Sequence, residues 1–441
     1  MIFLAKTSVA PSRSMKDNRI PSDLTVRDGK LRERTGKWFF LMLALTIIEL
    51  MLFASLVPHL EKEYLAQTIL LLIAYIAVEW GYYSVVGIAM QRRMEIELAG
   101  FMLSSISIAI TASVFPEKLL MQLATTVVGV GAFAFLVWFI GSVNRVTYSR
   151  IFAAVGAVGL LGATLLLARI TNGAKNWLAY GSVSVQPSEF VKIAFIFVGA
   201  ATLDRIQNAK SIMKYVIFSM ICVGLLFLTF DFGTALIFFA TFLIIAFLRS
   251  GDIKTIVLVC AAALLGGIGI ILYKPYVATR FANYRHVWDY VDAGGFQQTR
   301  AIMYSLSGGL FGVGLGNGKL RYIKYATEDL AFGVVCEELG MITAAAILIA
   351  YVLLLIYAIR GARYARSSFY AIAACSAAGL LVFQASLSAF GAMDILPFTG
   401  VTLPFISRGG SSMISSWGLL AFLKALDIRT YPKVLRELYH S

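Results

Sequence analysis

The side chains best suited to chemistry in this sequence are carboxylates at the junction of a long polar segment and an apolar run. Glu328 and Asp329 end the segment 274 to 330, and Glu337 and Glu338 follow in the apolar run. Eight residues apart at 3.6 per turn, Asp329 and Glu337 would share one helix face. A carboxylate at the mouth of a half-dry cavity can act as general base toward a sugar hydroxyl. An acid that complements a helix dipole is an equally good interpretation of Glu328 or Asp329, so both stay open here.

The same segment is rich in positive charge. Its basic residues are Arg280, Arg285, Arg300, Lys319, Arg321 and Lys324. Guanidinium groups bind phosphate and pyrophosphate well, so an anionic ligand is one interpretation and contact with lipid headgroups is the other. The string SGGLFGVGLGNG could turn backbone amides toward an oxyanion, but it lacks the ending of a Walker loop, so we do not expect nucleotide binding.

A second polar stretch between apolar runs is NGAKNWLAYGSVSVQPSEFVK. Glu189 and Lys192 are three residues apart at the start of an apolar helix, a spacing that allows an ion pair facing the bundle interior. The pair could serve architecture or line a cavity. Lys175 and Trp177 precede it at interface depth, where a tryptophan is often a membrane anchor.

The elements that must position these residues are membrane-spanning helices. Hydrophobic residues make up 59% of the chain and charged residues 14%, and the mean hydropathy is +0.81. Such a composition predicts that lipid is the solvent. Twelve apolar runs are long enough to cross a bilayer. They span residues 37–57, 66–88, 98–114, 119–141, 149–169, 188–203, 214–230, 232–249, 254–273, 331–358, 369–391 and 405–428. Long continuous runs favour helices over barrel strands, so we predict an all-α, polytopic helical bundle.

Charge distribution predicts the topology. Lys and Arg cluster in residues 1 to 36, which we predict to be a disordered arm, and in alternate loops, which the positive-inside rule places in the cytoplasm. An even number of crossings then puts both termini in the cytoplasm and segment 274 to 330 on the outer face. The net charge of +14 follows this pattern, so we do not expect a nucleic-acid partner.

Cysteine and histidine give no sign of a metal or disulfide site. The four cysteines lie in or next to apolar runs, and the three histidines are scattered. We therefore expect no disulfide and no structural metal.

Several ordered strings resemble the SEDS proteins of bacteria, the FtsW, RodA and SpoVE family that serves cell shape, elongation, division and sporulation. These strings are NGAKNW, QPSEFVK, DFGTAL, GFQ, SGGLFGVGLGNG, EDLAFGVVCEELG and LPFTGVTLPFISRGGSS. Residues 98 to 441 would be the ten-helix core, and residues 37 to 97 would add two N-terminal helices.

The resemblance implies an inverting peptidoglycan glycosyltransferase of the bacterial cytoplasmic membrane. Such proteins polymerise lipid II, a disaccharide-peptide on undecaprenyl pyrophosphate, beside a class B penicillin-binding protein. The family's essential aspartate falls on Asp329, and its loop tryptophan falls on Trp177. The QPSE glutamate and the lysine after it fall on Glu189 and Lys192, and Gln297 lies in the GFQ string.

Displacement of a pyrophosphate needs positive charge near the leaving group. We expect Arg280 and Arg285 to supply it, with Lys175 and Arg300 as further candidates. No cofactor is certain from the sequence, but a divalent cation, Mg²⁺ or Mn²⁺, could share this role.

The chain departs from the family pattern at three places. Arg300 and Ala301 stand where glutamine and serine are usual, and Arg408 stands where tyrosine is usual. Residues 325 to 328 replace an expected proline, glutamate and histidine. These changes indicate a divergent member.

Two other functions fit a polar intramembrane cavity. One is a flippase that transports lipid II, and the other is a scaffold that has lost catalysis and only positions its penicillin-binding partner. Replacement of Asp329 by alanine separates them from the polymerase, because neither transport nor scaffolding needs a general base.

Overall fold

The protein is described by a computed structural model that covers residues 24–27, 30–33, 36–90, 93–170, 173–180, 183–203, 209–254, 257, 260–261, 284–365 and 367–440. Long helices dominate these ranges, as the all-α prediction required. Residues 274–330 are called the outer segment below, after their predicted side of the membrane. The helices before the outer segment are α1 (Gly36–Leu56), α2 (Lys62–Tyr82), α3 (Glu95–Val114), α4 (Leu119–Ile140), α5 (Val143–Leu167), α6 (Pro187–Leu203), α7 (Ala209–Leu228) and α8 (Phe232–Ser250). Those in and after it are α9 (Phe296–Ser307), α10 (Ala331–Glu338), α11 (Gly340–Ala362), α12 (Ser368–Ala392) and α13 (Gly410–His440).

Eight helical segments of the described chain are long and apolar enough to cross a membrane. They are Lys37–His59, Lys62–Ala89, Glu95–Val114, Pro116–Ile140, Asn144–Leu167, Phe232–Ser250, Gly340–Ala362 and Ser368–Ala392. Each overlaps a predicted run. Helices also occupy the predicted runs 188–203, 214–230 and 405–428, although the last helix begins only at Gly410. The run 254–273 lies almost entirely outside the described residues.

The predicted single span 331–358 is wrong, because two helices occupy it. α10 ends at Glu338 and α11 begins at Gly340, whose φ of +85° breaks the helical path. A Cβ atom at Gly340 would also collide with the backbone of Leu310 and lie 2.5 Å from the amide nitrogen of Gly312. The outer segment therefore packs into the break, which only glycine permits.

Two short antiparallel hairpins accompany the helices. β1 (Leu24–Arg27) pairs with β2 (Lys30–Glu33) inside the arm that was predicted to be disordered, and residues 1 to 23 lie outside the described part. Apolar and polar residues alternate along β1, as expected of a strand. In the sequence the dipeptide Asp-Gly lies between β1 and β2, and this dipeptide favours a two-residue turn. β3 (Leu178–Tyr180) pairs with β4 (Val183–Val185) directly before α6.

The core is centred on Trp417 of α13. Its ring centroid lies 4.9 Å from that of Phe101 on α3 and 5.7 Å from that of Phe133 on α4. A Cβ atom at Gly100 or Gly129 would come within 2.9 Å of this indole, so both helices approach α13 through glycine. Small residues that allow close helix approach are typical of membrane bundles.

The two N-terminal helices hold the outer segment in place. Leu315, from the glycine-rich string, is 1% exposed and inserts into one apolar cluster with Phe53 of α1 and Leu72 of α2. Next to it, Gly316 faces His59, in the short turn after α1, so closely that a Cβ atom would lie 2.5 Å from the Cβ of His59. The string thus packs on α1 and α2.

A polar junction fixes the same string to α3 and α10. Ser113 Oγ donates to Glu338 Oε2 at 2.6 Å and accepts from the Gly316 amide at 2.8 Å. Glu337 accepts the backbone amides of Lys319 at 2.6 Å and of Leu320 at 2.9 Å. The EELG string therefore organises the outer segment through buried carboxylates.

Candidate functional site

A cavity of about 590 Å³ lies where the β3–β4 hairpin, α4, α6, α8, α12 and the loops before α10 and α13 meet. Its charged lining residues are Lys118, Glu189, Asp231, Glu328, Asp329 and Arg408. Its uncharged polar and aromatic lining includes Gln122, Asn176, Trp177, Gln186, Tyr325, Gln384, Thr399 and Thr402. The structure therefore brings three of the predicted site residues to one cavity: Trp177, Glu189 and Asp329.

Asp329 sits at the end of a tight turn. Tyr325 has a φ of +64°, and its carbonyl oxygen accepts the amides of Glu328 at 3.2 Å, Asp329 at 3.0 Å and Leu330 at 3.3 Å. The turn presents a half-buried Asp329 side chain to the cavity immediately before α10 begins. Across from it lies Gly400, where a Cβ atom would be 3.5 Å from Asp329 Oδ2. The carboxylate is thus both accessible from the cavity and held close to the opposite loop.

Asp231, in the DFGTAL string, ties the Trp177 segment to α8. Its Oδ1 accepts the Thr234 amide at 3.2 Å and so caps the helix N-terminus. Its Oδ2 accepts Nδ2 of Asn176 at 3.2 Å and Nε2 of Gln186 at 3.3 Å. Sequence reasoning did not assign Asp231 to the site. An aspartate just before an apolar run is the available signal, and it indicates only a cap.

The predicted ion pair between Glu189 and Lys192 is confirmed. The Lys192 Nζ atom lies 2.7 Å from Glu189 Oε2, and both side chains are almost fully buried. Lys192 also donates to Gln384 Oε1 at 2.8 Å, and Gln384 Nε2 donates to the Thr402 carbonyl oxygen at 2.9 Å. The chain of contacts joins α6, α12 and the loop before α13, while Glu189 faces the cavity. Glu189 thus lines the cavity, while its contact with Lys192 links elements of the bundle; the architectural role of the pair stays a prediction.

Arg408, in the loop before α13, contacts the residue that precedes Asp329. Its guanidinium forms an ion pair with Glu328, and the two side chains are 25% and 24% exposed. Sequence reasoning marked Arg408 only as a departure from a family string. Eighty residues separate the partners, so no local pattern could reveal the contact.

Two of the predicted cations, Arg285 and Arg300, do not line the cavity. Arg285 is exposed, and its backbone amide donates to Asp394 Oδ1 at 3.3 Å. Arg300 donates to the Val291 carbonyl oxygen at 3.1 Å, and its guanidinium lies 4.5 Å from the Phe296 ring centroid.

Three further predicted residues complete the set. Gln297 donates to the Lys324 carbonyl oxygen at 3.1 Å, within the outer segment. Lys175 precedes Trp177, and its amide donates to the Thr229 carbonyl oxygen at 2.8 Å. Arg280 lies outside the described residues. Substrate binding by any of the predicted cations stays a prediction.

Among the described residues, no group of three or more His, Cys, Asp or Glu side chains could hold a metal ion. Mg²⁺ usually needs only one or two carboxylates together with substrate phosphates. Participation of Mg²⁺ or Mn²⁺ therefore stays a prediction.

The fold and the site define a polytopic helical membrane protein with an acidic, half-buried cavity next to its outer segment. Residues 86–431 match the family model of the FtsW, RodA and SpoVE cell cycle proteins, and the chain belongs to this family. The match begins after α2, so α1 and α2 precede it.

Similar proteins carry names that agree with this family. A probable peptidoglycan glycosyltransferase FtsW of Tolumonas auensis is 32% identical over 283 residues, which are 62% of this chain and 74% of that protein. The peptidoglycan glycosyltransferase RodA of Mycobacterium leprae is 28% identical over 333 residues, 69% of each chain. A solved chain from work on a peptidoglycan synthase complex, concerned with coordination of polymerization and crosslinking, is 25% identical with a TM-score of 0.62. The match covers 76% of this chain and 97% of the solved chain.

Proposed function

We propose that this protein is an inverting peptidoglycan glycosyltransferase that polymerises lipid II in the bacterial cytoplasmic membrane. The names of the FtsW and RodA relatives support the activity. The observation that carries the proposal is the placement of Asp329, half-buried on the wall of a cavity that it shares with Trp177 and Glu189. The lipid tail of the substrate would remain in the bilayer while its headgroup enters this cavity.

In the proposed reaction, Asp329 takes the proton of the acceptor sugar hydroxyl. The acceptor oxygen forms a bond to the anomeric carbon of the donor, and the bond from that carbon to the pyrophosphate oxygen breaks. Attack from the side opposite the leaving group inverts the anomeric centre. The proton remains on the Asp329 carboxyl, and undecaprenyl pyrophosphate leaves with the electron pair.

The leaving pyrophosphate needs a cation close by. Two basic residues line the described cavity, Lys118 and Arg408. Arg408 already forms an ion pair with Glu328, whereas the Lys118 side chain is exposed at the start of α4. Lys118 is therefore our candidate for the leaving group, in addition to the cations of the outer segment predicted from sequence.

The partner proposal follows from the solved synthase complex that coordinates polymerization and crosslinking. Crosslinking is the chemistry of a transpeptidase, so we propose a class B penicillin-binding protein as partner. The cytoplasmic placement of both termini, inferred from the charge distribution, belongs to the same proposal.

The proposal is tested with purified full-length protein, labelled lipid II and either Mg²⁺ or Mn²⁺, with and without a class B penicillin-binding protein. We expect glycan chains from the wild type and none from Asp329→Ala, which should still bind lipid II. A folded wild-type protein that makes no glycan with either metal and with the partner present would overturn the enzyme proposal. Lipid II transport that persists in Asp329→Ala would favour the flippase instead.

A further inference from the structure

Two residues on the wall of the cavity, Glu328 and Arg408, form an ion pair directly beside Asp329. Glu328 is the chain neighbour of Asp329, and Arg408 comes from the loop before α13. Both belong to stretches where the chain departs from the family pattern. The two departures are far apart in sequence, and the fold brings them into contact.

The contact is part of a larger set of hydrogen bonds between residues 407–408 and residues 327–328. The Arg408 amide donates to the Thr327 carbonyl oxygen at 2.7 Å, and Arg408 Nε donates to Thr327 Oγ1 at 3.1 Å. Thr327 Oγ1 donates in turn to Glu328 Oε2 at 3.2 Å. The Ser407 hydroxyl donates to the Glu328 carbonyl oxygen. Thr327 is 1% exposed, whereas the Arg408 and Glu328 side chains are 25% and 24% exposed, so the set lies at the edge of the buried interior.

These bonds hold one side of the turn that presents Asp329. The other side is held by the Tyr325 carbonyl oxygen, which accepts three successive amides. Without the 407–408 contacts, residues 327 and 328 would lose their link to the loop before α13. Asp329 is the next residue along the chain, so its carboxylate position depends on both sides.

We propose that Arg408 and Glu328 are a positioning pair for Asp329. The proposal rests on the proposed function, in which Asp329 is the general base. The pair orients the carboxylate toward the acceptor hydroxyl, and Arg408 also compensates the Glu328 charge next to it. Arg408 does not itself bind the leaving group in this account.

Kinetics separate positioning from substrate binding. A misplaced base slows the chemical step, and a displacement of about 1 Å can cost roughly 100-fold in rate. We expect Glu328→Gln and Arg408→Gln each to lower kcat about 10- to 100-fold with little change in KM for lipid II. The double variant should be no slower than the slower single variant, because either change breaks the same unit. Arg408→Lys keeps the charge and should restore part of kcat.

The matched control is the ion pair of Arg93 and Glu95, whose N–O distance is 2.6 Å and whose side chains are 22% and 31% exposed. It lies away from the cavity, so Glu95→Gln should leave kcat unchanged. A rise in KM at unchanged kcat in Arg408→Gln would overturn the positioning proposal and indicate direct anion binding. Wild-type kcat in both single variants would also overturn it.

A second measurement needs no polymerase activity. In Asp329→Cys, alkylation of the new thiol by N-ethylmaleimide reports its exposure, after subtraction of the rate of the parent protein with its native cysteines. We expect the thiol to react several times faster when Glu328→Gln or Arg408→Gln is added, and at an unchanged rate with Glu95→Gln. Equal rates in all of these proteins would overturn the positioning role. If the wild type makes no glycan, the proposed function fails, and this measurement still decides whether the pair holds residue 329.

Discussion

The Lys192 ammonium nitrogen lies 2.7 Å from Glu189 Oε2 inside the bundle, and both side chains are nearly fully buried. The two opposite charges therefore compensate each other in a buried region, where water does not solvate them. Removal of one partner leaves an uncompensated charge, which typically costs about 3–5 kcal/mol.

We predict that Lys192→Met lowers the free energy of unfolding by about 3–5 kcal/mol. The double variant Glu189→Gln with Lys192→Met should recover much of this loss, because no buried charge remains. Thermal unfolding in detergent measures both effects. Lys62→Met, at an exposed lysine, is the control and should change little. Equal stability of Lys192→Met and the wild type would contradict the interpretation of the pair as architectural.

The Glu338 carboxyl predicts a pH dependence of stability. Glu338 ends α10, before the candidate span Gly340–Ala362, and burial raises its pKa from 4.5 to about 7. Between these values the folded protein binds more protons at Glu338 than the unfolded chain does, so the contribution of Glu338 to stability is most favourable below about pH 4.5 and is lost as pH rises through about 7.

The slope from Glu338 alone is at most about 1.4 kcal/mol per pH unit. We expect Glu338→Gln to remove this contribution, measured as unfolding free energy at several pH values. Glu117→Gln, at an exposed glutamate, should keep the wild-type slope. An unchanged slope in Glu338→Gln would show that this carboxyl does not titrate as its burial requires.

Substitution of Leu315 tests whether this residue anchors the outer segment on α1 and α2. Its side chain is 1% exposed in the cluster with Phe53 and Leu72, so we predict that Leu315→Ala costs about 2–5 kcal/mol. Leu310 lies in the same string but is 59% exposed, which makes Leu310→Ala the matched control with little effect. Similar unfolding temperatures for the two variants would contradict the anchoring.

The cavity and the outer segment each offer a cation that could bind the leaving pyrophosphate, and the two candidates lead to different predictions. Lys118 lines the cavity, whereas Arg285 does not. We predict that Lys118→Ala raises KM for lipid II about 10-fold, as expected when one charge-assisted contact of about 1.4 kcal/mol is lost. Arg285→Ala should have the smaller effect. The reverse order, measured in the same polymerisation assay, would favour the clamp that the sequence predicted in the outer segment.

Local patterns predicted much of the fold and part of the site. Apolar runs located the spans, because a helix in lipid needs a continuous apolar length, and the spacing of Glu189 and Lys192 predicted their ion pair. Asp329, Trp177 and Glu189 were expected at one site, and the cavity unites them.

Long-range contacts account for what the sequence did not predict. Asp231 meets Asn176 and Gln186 only after α8 packs against the hairpin, and Arg408 meets Glu328 across eighty residues. The break at Gly340 depends on contact with Leu310, which hydropathy does not report. The positive charge of Arg285 and Arg300 likewise could not show that their side chains lie away from the cavity.

The most direct test of the central claim is the rate of glycan polymerisation in Asp329→Asn. Asparagine keeps the shape of the side chain but cannot take the proton, and general base catalysis contributes roughly 100- to 10,000-fold. We predict a loss of that size with lipid II binding retained. Asp289→Asn, in the same outer segment but with a side chain that is 70% exposed, should polymerise at the wild-type rate. Polymerisation by Asp329→Asn at the wild-type rate would contradict the assignment of Asp329 as the general base.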